Sequence, residues 1–280
     1  MVSSKPPFPN KPKTKANCLV QLIFLKDPIF PSDYGYSHFI FSLRKNPAEP
    51  LRDKHIIWLY LFLLATLVDL GFVMEQNDEM RFFSKPLILA GLILYFYFIS
   101  KPIRSTLLAK TILAALLFSW LGDVLLLWPQ LFIYGLGAFL MAHLCYIFGF
   151  RLAQQPEGRL DSWHFIRSFF YNLPIYLLAG FAFYLIYPNL GGLKIPVIAY
   201  ILVIVGMVTT ARARFKKTNA ASFWQVFVGA LLFLISDGIL AIARFFNDFQ
   251  DAGILVMGTY ATAQLLLVMG IRSYLVGSKK

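Results

Sequence analysis

Cysteine is scarce in this chain, and so is charge. The two cysteines, Cys18 and Cys145, stand far apart, one in a polar leading stretch and one in an apolar run, which excludes a disulfide framework and a cysteine-held metal cluster. Charged residues make up only 14% of the sequence. Also missing are a Gly-x-Ser-x-Gly elbow, a Walker loop, a His-Glu-x-x-His zinc helix and any Cys pair at ligand spacing, which disfavours classical serine hydrolases and ATPases. The N-terminal stretch has no sequence of basic start, apolar centre and small-residue cleavage site, so a cleaved signal peptide is not expected.

What fills the chain instead is hydrocarbon. Hydrophobic residues reach 58%, against the roughly 45 to 50% of soluble domains. This implies an integral membrane protein. Residues 1–54 are rich in Pro, Lys and Ser, with one apolar patch too brief to cross a bilayer, and read as a flexible basic tail. Beyond them, runs close to the ~20 residues that span a bilayer recur at 55–74, 83–99, 105–128, 131–150, 168–187, 193–210, 222–245 and 252–274. A membrane β-barrel needs alternating segments of about ten residues, and these runs are longer and apolar on all sides. The expected fold is therefore all-α: a polytopic bundle of eight transmembrane helices forming one domain over 55–275, with a short C-terminal tail at 276–280. Pro86, Pro174 and Pro196 are expected near helix starts, where a missing amide hydrogen matters least.

The net charge of +12 resembles a nucleic-acid signal until its carriers are located, because they lie in the tail and at helix ends. No nucleic-acid partner is expected. If helices alternate in direction, 22 of the 26 basic residues fall on one side, leaving Arg81, Lys85, Lys194 and Arg244 opposite. Cytoplasmic loops carry the excess of Lys and Arg, so both termini are expected in the cytoplasm, with the bundle in the cytoplasmic or inner membrane if the source is bacterial. The third and seventh runs share the pattern small-Asp-x-[IL]-Leu, at LGDVLL and ISDGIL, and point the same way, which suggests a 4+4 parallel repeat.

Those two aspartates, Asp123 and Asp237, are the costliest residues in the apolar runs. A charged aspartate near mid-membrane costs at least ~2.5 to 3.5 kcal/mol on insertion scales, so it usually faces a protein interior and a function. Counted from the sparsely charged end, Asp123 lies about 8 Å deep and Asp237 about 12 Å. At a shared level the pair can divide the roles of general acid and general base. His143 is the one histidine of four well inside a run, about 20 Å from that end, so reaching Asp123 requires tilt or a water. Tyr146, one turn further on the same face, is its expected partner.

Tyr260 and Gln264 share a face in the eighth run at a depth similar to His143, so they can line the same cavity or simply satisfy each other. Arg244 lies two turns outward of Asp237, and Lys85 opens the second run on the same side; together they are candidates to hold a phosphate headgroup, unless each merely snorkels. Asp69 and Asn172 lie near run ends, where either can reach the cavity or be solvated. One histidine with two dispersed carboxylates is a weak metal signature, and no metal or cofactor is expected.

Five segments together carry a resemblance: SKPL at 84–87, LGDVLLL at 121–127, FIYGLGAFLMAHLCYI at 132–147, GALLFLISDGILAIARF at 229–245 and YATAQLLLVMG at 260–270. In this order, the chain resembles the lysoplasmalogenase or YhhN family, whose animal members are the TMEM86 proteins. The likeness covers the second to eighth runs; the long tail before His55 departs from the family. It implies hydrolysis of the vinyl ether bond of lysoplasmalogens to a fatty aldehyde and a glycerophospho-headgroup, with Asp123 and Asp237 in the active centre. The implied partners are a lysophospholipid with a vinyl ether chain and the surrounding membrane lipids.

That chemistry suits the residues. A vinyl ether breaks by protonation at its outer alkene carbon, giving an oxocarbenium ion that water captures. One aspartate can donate the proton while the other stabilises the cation and activates water, as paired carboxylates do in glycoside hydrolysis. His143 can relay a proton through water. Three other readings stay open: a transporter using the same intramembrane residues as a proton relay, a hydrolase of ester-linked lysophospholipids, and a noncatalytic lipid-binding protein whose polar residues fix helix packing.

Overall fold

A computed structural model describes residues 55–101, 104–154, 162–247 and 249–277. The predicted tail at 1–54 lies outside the described residues. Eight long helices follow in order: α1 (Ile56–Met74), α2 (Asp78–Ile99), α3 (Leu107–Leu125), α4 (Phe132–Leu152), α5 (Ser162–Ile186), α6 (Lys194–Arg212), α7 (Ala220–Phe245) and α8 (Ala252–Gly277). All eight include a stretch long and apolar enough to cross a bilayer, and no strand occurs among the described residues. The polytopic all-α expectation is met. In lipid the helix satisfies every backbone group within its own segment, which is why uniformly apolar runs settle into it.

Helix starts are set by polar caps that the apolar runs do not reveal. The Asn77 side chain accepts from the Met80 amide at 3.2 Å, so α2 begins at Asp78, five residues before the apolar run. Thr106 and Asn219 cap α3 and α7 in the same way. The early starts of α2 at Asp78 and α5 at Ser162 correct the expectation for two prolines. Pro86 and Pro174 stand inside α2 and α5; only Pro196 lies in a first turn. The Pro86 carbonyl takes an indole hydrogen bond from Trp120 at 2.9 Å, which ties α2 to α3 at the proline. At the other end of the chain, α8 runs to Gly277, two residues into the predicted tail.

Close packing follows small residues, as membrane interfaces require. A Cβ on Gly91 would meet the Phe62 amide nitrogen at 2.8 Å, so α1 and α2 touch backbone to backbone. Gly270 does the same for α7 and α8, with the Val226 amide nitrogen at 2.9 Å. The pairs α1/α2, α3/α4 and α7/α8 are antiparallel hairpins, α4 packs against α6, and α8 also touches α1 and α2. By contrast α5 rests only lightly on α6 and α7. Leu67, Phe181, Tyr184 and Ile195 are exposed on the outside of the bundle, a surface suited to acyl chains.

Candidate active site

Asp237 and Asp123 each sit beside a small residue, and the packing shows why. The Phe139 ring lies on Gly122, where a Cβ would come within 2.6 Å of it, while Ser236 donates to the Val256 carbonyl at 3.0 Å. The aspartates are thereby seated close to neighbouring helices.

Asp237 of α7 forms a three-residue cluster with Tyr200 of α6 and His143 of α4. The Tyr200 hydroxyl donates to Asp237 Oδ2. His143 Nε2 lies 2.9 Å from that hydroxyl and 3.3 Å from Asp237 Oδ2. With the tyrosine proton committed to the carboxylate, the hydroxyl oxygen accepts from the Nε2–H of His143. Both contacts fall on Oδ2, and Oδ1 has no hydrogen bond among the described residues.

Asp123 of α3 has a separate set of partners. The Tyr260 hydroxyl donates to its Oδ2 at 2.7 Å, Gln264 Nε2 donates to Tyr260 at 3.3 Å, and Tyr146 donates to Gln264 Oε1 at 2.6 Å. A chain of hydrogen bonds thus crosses from α4 through α8 to α3. Buried Lys85 and Asp69 add their charges to the surroundings of Asp123. Asp69 itself is fully buried; it accepts from Ser84 at 2.6 Å and has Arg81 Nε at 3.7 Å. Between the two aspartates stands an aromatic wall, in which Phe233 packs edge-on against both His143 (4.7 Å) and Tyr260 (5.3 Å).

The structure thus joins His143 with Asp237 and Tyr260 and Gln264 with Asp123. The depth count separates His143 from the aspartates, but side chains lean toward the N-terminus of their own helix. On antiparallel α4 and α7 these leans converge, and direct contact follows. Tyr146 bonds Gln264 rather than the expected His143. Asn172 is remote: its Oδ1 accepts from Arg212 at 2.9 Å, at the opposite end of α6 from Lys194. Tyr200 escapes the sequence reading because a lone tyrosine in an apolar run has no signature; a depth count along the sixth run, about 10 Å from the sparsely charged end, brings it level with Asp237.

A cavity of about 230 Å³ opens beside Asp237, enclosed mainly by α4, α5, α6 and α7. Its walls are aliphatic and aromatic, and Tyr200 and Asp237 are the residues that bring polar atoms to it. The Asp237 side chain is 15% exposed, whereas Asp123 is 3% exposed and does not line this space. No group of three or more His, Cys, Asp or Glu suited to a metal occurs among the described residues.

A sequence model of the YhhN family matches residues 80–271, which hold both aspartates and all of their hydrogen-bond partners. The chain belongs to the YhhN family. It is similar to "Lysoplasmalogenase TMEM86B" of Mus musculus, 30% identical over 214 residues that make up 76% of this chain and 85% of the mouse protein. It is also similar to "Lysoplasmalogenase" of Mycobacterium tuberculosis, 32% identical over 170 residues, 58% of this chain and 60% of that protein. "Lysoplasmalogenase TMEM86A" of Bos taurus is 30% identical over 167 residues, 58% of this chain and 65% of the bovine one. No solved structure matches this YhhN chain.

Proposed function

We propose that this YhhN protein is a membrane-embedded hydrolase that cleaves the vinyl ether bond of lysoplasmalogens, releasing a fatty aldehyde and a glycerophospho-headgroup. The observation that carries the reading is a carboxylate, Asp237, with one free oxygen at the wall of an apolar cavity, braced by Tyr200 and His143. The names of the relatives support the substrate class.

The aliphatic chain lies in the cavity, and the alkene meets Asp237. The alkene's electron pair takes a proton from the carboxyl group at the outer carbon, leaving an oxocarbenium ion at the carbon attached to the ether oxygen. Negative charge on the aspartates stabilises that ion. Water adds to it and gives a proton back to the carboxylate. The hemiacetal then collapses: its carbon–oxygen bond to glycerol breaks, the glycerol oxygen gains the hydroxyl proton, and an aldehyde leaves. Tyr200 and His143 hold Asp237 in place. Asp123, screened by Lys85 and tied to Tyr260, acts on the site through its charge.

Isotope placement tests the reaction. In D2O, aldehyde released from alkenyl lysophospholipid and trapped by reduction carries one deuterium at the carbon next to the former carbonyl. Aldehyde without that deuterium, or a fatty acid in its place, would overturn the mechanism. The excess of basic residues at the other end supports a cytoplasmic location for both termini.

A further inference from the structure

Four basic residues stand at the end of the bundle nearest Asp123 and Asp237, and they divide into two pairs. Arg81 lies 3.4 Å from Asp78 and 3.7 Å from Asp69. Lys85 is buried, and the charges that act on it include those of Asp123 and Asp69. Of these two, Arg81 is ion-paired and Lys85 is buried inside the bundle. Arg244 and Lys194 have no ion pair among the described residues; each rests on an aromatic face instead. The Arg244 guanidinium carbon is 5.4 Å from the Phe132 ring centroid, and Lys194 Nζ is 4.6 Å from that of Tyr187. A cation on a ring face keeps most of its capacity for an anion.

The two free cations share one rim. Asn189 Nδ2 donates to the Phe245 carbonyl at 2.7 Å, pinning the turn that holds Tyr187 to the end of α7. Phe245 packs edge-on against Phe132 at 5.7 Å, and both rings line the apolar cavity. Arg244 follows Asp237 by seven residues, about 10 Å along the helix, so a ligand can touch both if its charged end and its reacting bond are a glycerol apart.

We propose that Arg244 and Lys194 form the phosphate-binding subsite of this cavity, taking the headgroup phosphate of a single-chain glycerophospholipid. This rests on the hydrolase reading for the identity of the chain. It replaces Lys85, expected from sequence to hold the phosphate, with Lys194. The arginine grips two phosphate oxygens through its fork, and the lysine adds a point charge.

The test is binding in nanodiscs of neutral lipid, using a saturated alkyl-ether lysophosphoethanolamine, which has no vinyl ether to cleave, and the alkylglycerol of the same chain. Wild-type protein binds the phospholipid roughly ten- to a hundredfold more tightly than the alkylglycerol. Arg244→Gln and Lys194→Gln each narrow that ratio and together abolish it, while Lys85→Gln preserves it. An unchanged ratio in the double variant, or a loss that follows Lys85→Gln alone, overturns the assignment. Displacement of the lysolipid by millimolar inorganic phosphate would also overturn it, by making this a free-phosphate site. Failure of the reaction is separable: protein that binds with the predicted preference but releases no aldehyde loses the vinyl ether reading and keeps the subsite.

Discussion

Tyr200 is the residue on which the arrangement around Asp237 turns. It donates to the carboxylate and receives His143, so Tyr200→Phe removes one hydrogen bond from each while leaving the ring in place. Removing one preorganised donor typically costs 10² to 10³ in kcat. The expected result is a fall of roughly a hundredfold in aldehyde release with KM and melting temperature little changed; unchanged kcat would show that Tyr200 only packs. A different role belongs to Arg214, fully buried in the turn between α6 and α7. It donates to the Ala153 carbonyl at 3.2 Å and to Ser222 at 2.8 Å, closing the end of α4. Burial pulls its pKa down to about 10, so it is still charged at neutral pH. Arg214→Met leaves both acceptors without their donor and should cost about 2 to 3 kcal/mol, read as a lower melting temperature in detergent. Asp123, Asp237 and His143 were legible in the sequence because ionisable groups in apolar runs stand out. Tyr200 and Lys194 were not, since a tyrosine and a helix-end lysine are ordinary there, and only the approach of other helices gives them partners.

The helices differ in what their small residues do. On α7, Gly270 of α8 faces backbone, so Gly270→Ala drives a methyl into Val226 and should cost about 1 to 3 kcal/mol, lowering the melting temperature. Gly238, on α7 and at the cavity wall, would place a Cβ no closer than 3.9 Å to Ala182. Gly238→Leu therefore begins from an unhindered Cβ at the wall of the chain site: aldehyde release should fall at least roughly tenfold through KM while the melting temperature holds, helped by the better helix propensity of leucine. Equal stability losses in the two variants would contradict this division. The eight helices themselves were readable from apolar run length, because a bilayer demands about 20 residues of any helix that crosses it. Their starts were less so, since the caps Asn77 and Asn219 stand ahead of the apolar runs while Thr106 stands inside one. The likeness of the two halves has a partial counterpart in space: the aspartate of α3 reaches α8, and that of α7 reaches α4. The outer pairs are unequal, with α1 and α2 tightly joined and α5 loosely held.

At the scale of the whole molecule, charge and chemistry separate to opposite ends. The end crowded with Lys and Arg holds Arg214, the start of α1 and the end of α8, while the aspartates, the cavity, Arg244 and Lys194 lie toward the other. Cysteines introduced at Gln130 and Ala213, in a background without Cys18 and Cys145, test the orientation. A membrane-impermeant maleimide added outside should label the first and spare the second; the reverse pattern would invert the topology. Loop charges alone carry the expected orientation, and the buried acids of the apolar runs mark the end where the proposed site lies. What the sequence could not show is that Asp123 and Asp237 have unequal surroundings, one enclosed and one at the wall of an apolar cavity, because that depends on which helices leave a gap between them. The most direct measurement is aldehyde release from alkenyl lysophospholipid by the purified full-length protein and its Asp237→Asn variant, with the acyl ester run alongside. The wild type should release fatty aldehyde and no fatty acid, and the variant should be slower by roughly 10² to 10⁴ at an unchanged melting temperature. Aldehyde release by Asp237→Asn at the wild-type rate, or fatty acid from the ester as the sole product, would contradict the account.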